Sequence, residues 1–374
     1  MKTKKRVALD RLEKGLPAAW YRDPAHHERE LEAFWYRRWI AVAREEEVAS
    51  VGDWRTVQLG TQSLVLVRAA HGQVKAFHNT CRHRGSILCT GESGQFARQR
   101  IVCPYHAWTY DLEGRLVGTP RRMPTPDFDA GDFPLFDVAT ECWGGFVFVN
   151  LEGKGKLGLA EAFRNHDLGR LRVGKRIVAD VKANWKLVAE NFSECFHCPP
   201  VHPELCRVVT AYRDAGAWGL RGSETSREYR PGAKTLTLDG SARIPPIRGL
   251  TAKERETLYT PWMFLPNLFL NVHPDYVNAH MMFPTGPESV RIVYDWLFEP
   301  EHLPVGEDLE HYVALWDITN KQDARNCEWQ QQGLRSRRFR NGVYVPQEFD
   351  CHRFAQWVRK GLGRRGHTTV TRHR

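Results

Sequence analysis

An α+β protein built in more than one part is the fold class this sequence predicts. Three observations carry that reading. The chain has 374 residues, about two domains' worth. Short β-branched runs crowd the stretch from Trp54 to Leu151, and helix-period segments mix with strands after it. With 42% hydrophobic and 26% charged residues, the composition is that of an ordinary globular chain with enough apolar side chains for two cores.

Taken in order, residues 1–40 read as helical. Asp23 and Pro24 precede Glu28–Trp39, where Leu31, Phe34, Trp35 and Trp39 fall on one face. Residues 41–152 read as β: Trp54–Leu59, Leu64–Arg68 and Val74–His78 are short strands between Gly-bearing turns. Thr109-Tyr110 and Leu112–Leu116 suggest a hairpin, and Phe146–Leu151 a buried strand. Gly153-Lys154-Gly155-Lys156 marks a boundary.

Residues 153–362 form the second part. Trp185–Phe196 and Asp308–Leu334 are helix candidates, and Val277–Phe283 and Val290–Phe298 are strands around Thr285-Gly286-Pro287. Residues 363–374 form a basic tail, with fraying expected from Gly361.

The net charge is +10, and Gly333–Arg374 alone carries eleven Lys or Arg against two acids. Nucleic acid binding would need interleaved aromatics and a recognisable fold, and neither is visible. A basic surface suits an acidic redox partner or simple solvation. Cys89, Cys142, Cys195, Cys198, Cys206, Cys327 and Cys351 lack disulfide-scaffold spacing, so reduced thiols in a cytoplasmic protein are expected. No apolar run suggests a signal peptide or a membrane span.

Two segments carry redox chemistry: Cys81-Arg82-His83-Arg84-Gly85 and Cys103-Pro104-Tyr105-His106-Ala107-Trp108. Two thiolates and two imidazoles on two loops can hold a [2Fe–2S] cluster, with both sulfurs on one iron and both histidines on the other. The same set could hold zinc. Zinc fingers, however, pair Cys with Cys and His with His, whereas each loop here mixes them. Gly85 permits a tight turn, and Pro104 fixes the backbone between two ligands.

These segments resemble the Rieske loops of the Rieske non-heme iron oxygenases. The resemblance runs from about Trp20 to Leu362. It implies an all-β Rieske domain plus a helix-and-antiparallel-sheet catalytic domain of helix-grip type.

A second motif spans Glu190–Leu205. His197 and His202 sit five positions apart, which on a straight helix points them ~140° from each other. Pro199 and Pro200 cannot continue a helix, so the chain is expected to end or bend just after His197 and bring His202 back. Two imidazoles and a carboxylate on one face of Fe(II) leave positions open for oxygen and substrate. By resemblance, His197 and His202 match the family's iron-binding histidines and Asp323 its third ligand. Asp317 is the nearby competitor.

Glu194 matches the acid that links the iron site to a Rieske histidine of a neighbouring subunit, with His197 on the iron side and the partner subunit's His106 on the cluster side. Asn191 lies near this site, or is an ordinary helix-face polar residue.

The wording Glu194-Cys195-Phe196-His197-Cys198-Pro199-Pro200, with Pro266-Asn267-Leu268-Phe269-Leu270, resembles the branch acting on glycine betaine, carnitine, stachydrine and choline. The resemblance implies O2-dependent oxidation of a C–H bond in a methylated or quaternary amine, by N-demethylation or hydroxylation. Electrons would come from NAD(P)H through a separate flavin reductase, since no nicotinamide fingerprint is present here. It further implies a head-to-tail homotrimer. An aromatic-ring-hydroxylating subunit is the alternative, though that branch usually carries Asp where Glu194 stands. A quaternary cation asks for aromatic faces. Tyr212, Trp218, Tyr259, Trp262, Phe264, Phe269 and Tyr276 are the candidates, none singled out.

Overall fold

The computed structural model describes residues 8–159, 162–215 and 228–363. The chain enters as a strand. β1 (Glu13–Pro17) pairs antiparallel with the last strand, Asn341–Tyr344. The helical reading of residues 1–40 is thus corrected. Among the described residues of this stretch only α1 (Pro24–Glu30) is α-helical, capped where Asp23 accepts the Ala25 N–H at 2.9 Å, and Leu31–Trp35 follows as a π-helical turn. A strand this short is set by its distant partner, which local periodicity cannot see. The apolar residues still turn inward: Leu31, Phe34 and Trp35 enter one core and Trp39 a second.

The β part is a seven-stranded sheet. Its strands are β2 (Ile40–Arg44), β3 (Asp53–Leu59), β4 (Gln62–Arg68), β5 (Val74–His78), β6 (Ser93–Gln95), β10 (Asp137–Trp143) and β11 (Phe146–Asn150), in the order 2-11-10-5-4-3-6. A small sheet of β7 (Ile101–Val102), β8 (Thr109–Tyr110) and β9 (Leu116–Gly118) stands beside it. Between these sheets lies a core that includes Val65, Val67, Phe77, Trp108 and Tyr110, together with Cys81 and Cys103.

The second part is a five-stranded antiparallel sheet, β12 (Arg172–Val181), β16 (Ser289–Phe298), β15 (Val277–Gly286), β14 (Leu268–Val272) and β13 (Thr260–Phe264), in that order. Helices α2 (Trp185–Phe192), α3 (Cys198–Val201), α4 (Pro203–Val208), α6 (Gly306–Gly333) and α7 (Phe349–Gly363) accompany it, with the short α5 (Ala252–Glu256) in a connection. Trp185, Leu187, Trp296, Tyr312 and Phe354 fill the main core.

Two expectations change here. Helix α7 is regular through Gly363, so fraying does not begin at Gly361, and residues 364–374 lie outside the described set. Helix α2 stops at Phe192, four residues before the expected end. The reason is local: the Glu194 carboxylate accepts the backbone N–H groups of Phe196 and of His197 (3.2 Å), which turns the chain out of the helix.

Polar links tie the two parts. Asn267 accepts the Ala41 N–H at 3.0 Å and donates to the Ala41 carbonyl at 2.7 Å. Arg176 on β12 is bidentate to Asp295 (2.7 and 2.7 Å) and also reaches Glu47 at 2.6 Å. Glu30 of the N-terminal segment meets the buried Lys186 ammonium at 2.7 Å and accepts the Trp185 indole N–H at 2.8 Å.

Candidate metal centres

The two cluster loops share one construction. Cys81 N–H donates to Ser86 O and Gly85 N–H returns to Cys81 O; Cys103 N–H donates to Trp108 O and Ala107 N–H returns to Cys103 O. Both returning residues have positive φ, 72° at Gly85 and 56° at Ala107. The loops place both sulfurs inside and both imidazoles outside. Cys81 and Cys103 are 3% and 2% exposed, while His83 and His106 lie at the surface with ring centroids 4.7 Å apart. Trp108 stacks on His83 at 4.8 Å, and the Tyr110 hydroxyl lies 3.3 Å from Cys81 Sγ.

This arrangement fits a cluster with one buried, sulfur-bound iron and one outward, histidine-bound iron. Burial pushes the Cys81 thiol pKa up, so a thiolate there needs the positive charge of bound iron. A hydroxyl on a ligating sulfur tunes the potential. Among the described residues the mixed Cys/His loops thus behave as one donor set.

The second centre forms where α2, the α3–α4 turn and α6 meet. His197 Nε2 and His202 Nε2 are 3.2 Å apart; Asp323 Oδ1 is 2.9 Å from the second and 3.4 Å from the first. Donors about 2.1 Å from one metal ion at right angles stand about 3 Å apart, so the three atoms fit one triangular face of an octahedron.

The other ring nitrogens are held from behind: His197 Nδ1 by Glu194 Oε1 at 2.6 Å, His202 Nδ1 by Gln322 Oε1 at 2.8 Å. Those contacts leave both Nε2 atoms for a metal. Asn191 donates to Asp323 Oδ1 at 3.0 Å, which orients the carboxylate. Asp317 points elsewhere and pairs with Lys321.

Electrostatics agree. Burial pulls the His197 pKa down, but hydrogen bonds to the Asp323 and Glu194 carboxylates outweigh it and raise it to about 10. Burial pushes Asp323 up, yet the two histidines hold it well below the usual carboxylate range. Both shifts reflect the negative surroundings of these ring nitrogens, where a bound metal ion would take the place of the proton.

Sequence reasoning missed Gln322 as a holder of His202, and Glu204, whose Oε2 accepts the Gln322 amide at 3.1 Å. The adjacency of Gln322 to Asp323 was the available signal.

Another expectation is overturned: Cys195 and Cys198 are joined in a disulfide. The turn forced by Glu194 brings their Cα atoms to 4.9 Å, inside the bridging range. The other seven cysteines are free.

A cavity of about 520 Å³ opens on His197, His202 and Asp323. Its walls include Phe192, Tyr212, Tyr259, Trp316 and Asn271. Of the aromatic candidates, Tyr212 and Tyr259 line it. Trp262 borders it, but its ring packs on Trp143 and Phe163. Phe264, Phe269 and Tyr276 are absent from the wall: Phe264 packs on Phe148, Phe269 on Phe192, and Tyr276 donates to Leu236 O in the core. Alternation along β13 turns Trp262 and Phe264 away from the face of Met263, whereas Phe269 shares the Asn271 face of β14 and packs against Phe192. Trp218 lies outside the described residues.

Residues 38–129 match the Rieske [2Fe-2S] domain, and residues 168–364 the ring hydroxylating alpha subunit (catalytic domain). The chain is 31% identical to the glycine betaine monooxygenase oxygenase subunit of Chromohalobacter salexigens, over 91% of this chain and 84% of that one. It is 30% identical to the carnitine monooxygenase oxygenase subunit of Escherichia coli K12, over 87% and 85%. The fold is similar to that of the quaternary ammonium Rieske monooxygenase CntA, with TM-score 0.74, 24% identity, and 93% and 95% coverage. With both of these domains matched and relatives of about 30% identity along most of its length, the chain belongs to the Rieske non-heme iron oxygenases, enzymes that carry a [2Fe–2S] cluster and a mononuclear iron.

Proposed function

We propose that this chain is the oxygenase component of a monooxygenase that oxidises a C–H bond of a methylated or quaternary amine, with electrons from a separate NAD(P)H-dependent reductase. The observation that carries the reading is the juxtaposition of the His197–His202–Asp323 face with an aromatic-walled cavity that favours a cation. Its charged lining residues include Glu194, Asp323 and Asp350; the guanidinium among them, Arg353, is already paired with Asp350 at 3.0 Å. His280 also lines the cavity, and burial pulls its pKa down to about 3, so the ring stays neutral and does not repel a cation. The tyrosine faces offer the attraction that a fully alkylated nitrogen, which has no hydrogen to donate, can still use.

Cys81, His83, Cys103 and His106 would hold the cluster, and His197, His202 and Asp323 the iron. When bound, the cluster supplies single electrons and the iron activates dioxygen. Glu194 fixes the His197 ring through Nδ1, and its second oxygen holds the backbone of the same turn. In a head-to-tail homotrimer the same carboxylate faces the partner subunit's His106, giving a short bonded route between centres. The exposure of His83 and His106 suits such docking. Gln322 and Asn191 keep the iron donors oriented, and the apolar wall limits water. Similarity to betaine and carnitine enzymes supports the substrate class.

The test is turnover with a reductase, NADH and a panel including glycine betaine, carnitine and choline, scored by mass. Demethylated amine with formaldehyde, or a hydroxylated amine, is expected. A diol from naphthalene with no product from any amine overturns the reading.

A further inference from the structure

The Sγ of Cys198 and one nitrogen each of His197 and His202 lie within 4.8 Å of one another. On a metal ion about 2.1 Å from both imidazole nitrogens, a sulfur about 2.3 Å away is cis to at least one of them and stands about 3.1 Å from it. A movement of up to about 1.7 Å therefore brings this sulfur within reach of the metal those histidines face. The backbone of Cys198 is already pinned, because its carbonyl accepts the His202 N–H at 2.8 Å. The sulfur needs only side-chain rotation. In the structure it is bonded to Cys195 instead.

We propose that Cys198 is a conditional fourth protein donor to the mononuclear iron, withheld while bonded to Cys195 and released by reduction. A dithiol reductant supplies two electrons and two protons: the Cys195–Cys198 bond breaks, two thiols form, and the reductant closes its own disulfide. The Cys198 proton passes to solvent as the sulfur takes the metal. Two histidines and one carboxylate leave open positions, and a thiolate in one of them competes with oxygen. The bond is reachable, since Cys195 is half-buried and both cysteines line the same cavity. The disulfide form is then the open site, and the dithiol form a closed one.

Cobalt(II) in the mononuclear site of the cluster-loaded protein is the probe. Cys195→Ser frees Cys198 without any reductant. Its spectrum should gain a near-ultraviolet thiolate-to-cobalt band relative to the Cys195→Ser/Cys198→Ser double variant, the cluster cancelling in the difference. With iron in the site, turnover lost in the single variant should recover in the double one. Identical spectra and turnover overturn the proposal. A variant-free arm reduces wild-type protein with dithiothreitol, desalts it anaerobically and then adds cobalt. Alkylation mass should show two added thiols and the spectrum the same band. Two added thiols without the band, or no added thiols, overturn it equally.

Discussion

Gln322 holds His202 from the side opposite the metal face, its Oε1 lying 2.8 Å from His202 Nδ1 while its neighbour Asp323 stands 2.9 Å from Nε2 of the same ring. Two consecutive residues of one helix thus set both the tautomer and the position of a ligand that comes from a different element. Gln322→Ala should weaken iron retention by roughly 10- to 100-fold, and Gln322→Glu, which keeps an acceptor, by less. Iron content after dialysis against a chelator, with the cluster spectrum as internal control, checks this.

Glu194→Ala removes the carboxylate from His197 Nδ1 but leaves His197, His202 and Asp323 in place. Product formation should fall by at least roughly 100-fold, at the upper end of what losing such a partner costs, while cluster and iron remain bound. Stopped-flow reoxidation of the pre-reduced cluster by oxygen should slow in parallel. Normal reoxidation in this variant would refute the bridging role.

Tyr212 lines the cavity. Tyr212→Leu should raise the KM for a quaternary amine by roughly 2- to 30-fold, the equivalent of about 0.5–2 kcal/mol of cation–π attraction. Tyr212→Phe keeps the ring and should cost less. Steady-state kinetics separates the two.

Glu190 is buried between two hydroxyls, Tyr21 (2.8 Å) and Tyr344 (2.6 Å). Burial pushes its pKa up to about 7 from 4.5, outweighing the hydrogen bonds that favour the charge. The folded state therefore binds more protons than the unfolded state between those values. This group's contribution is present below about pH 4.5 and lost as pH rises through about 7, a change on the order of 3 kcal/mol. Urea midpoints across this range should fall more steeply for wild type than for Glu190→Gln.

Arg176 joins the two parts through Asp295, which is fully buried, and Glu47. Arg176→Ala strands the Asp295 carboxylate and should destabilise the protein by about 3–5 kcal/mol. Denaturant unfolding followed at both the cluster absorbance and tryptophan fluorescence tests whether both parts lose stability together.

The candidate donor residues carry the clearest local signals in the sequence. Cys81 and His83 sit in a turn that Gly85 announces, and Pro199 and Pro200 already required a break between His197 and His202. Asp323 could be preferred over Asp317 only by resemblance; the structure supplies the physical reason, an outward ion pair for Asp317. What stayed hidden depends on distant packing. The pairing of β1 with the last strand has no local signature. The face taken by Trp262, Phe264 or Tyr276 follows from sheet register, which single-strand patterns do not fix. The Cys195–Cys198 bond follows from a turn made by the Glu194 carboxylate, a side-chain-to-backbone contact invisible to spacing rules.

Asp323 stands well inside α6, a 28-residue helix, with ten residues beyond it before the helix ends at Gly333. A donor at a frayed terminus could drift toward a metal of any size. One anchored in the middle of a long rod cannot, so the loop carrying His197 and His202 must do the adjusting. Discrimination among divalent ions should accordingly respond to changes in that loop far more than to changes along the rod.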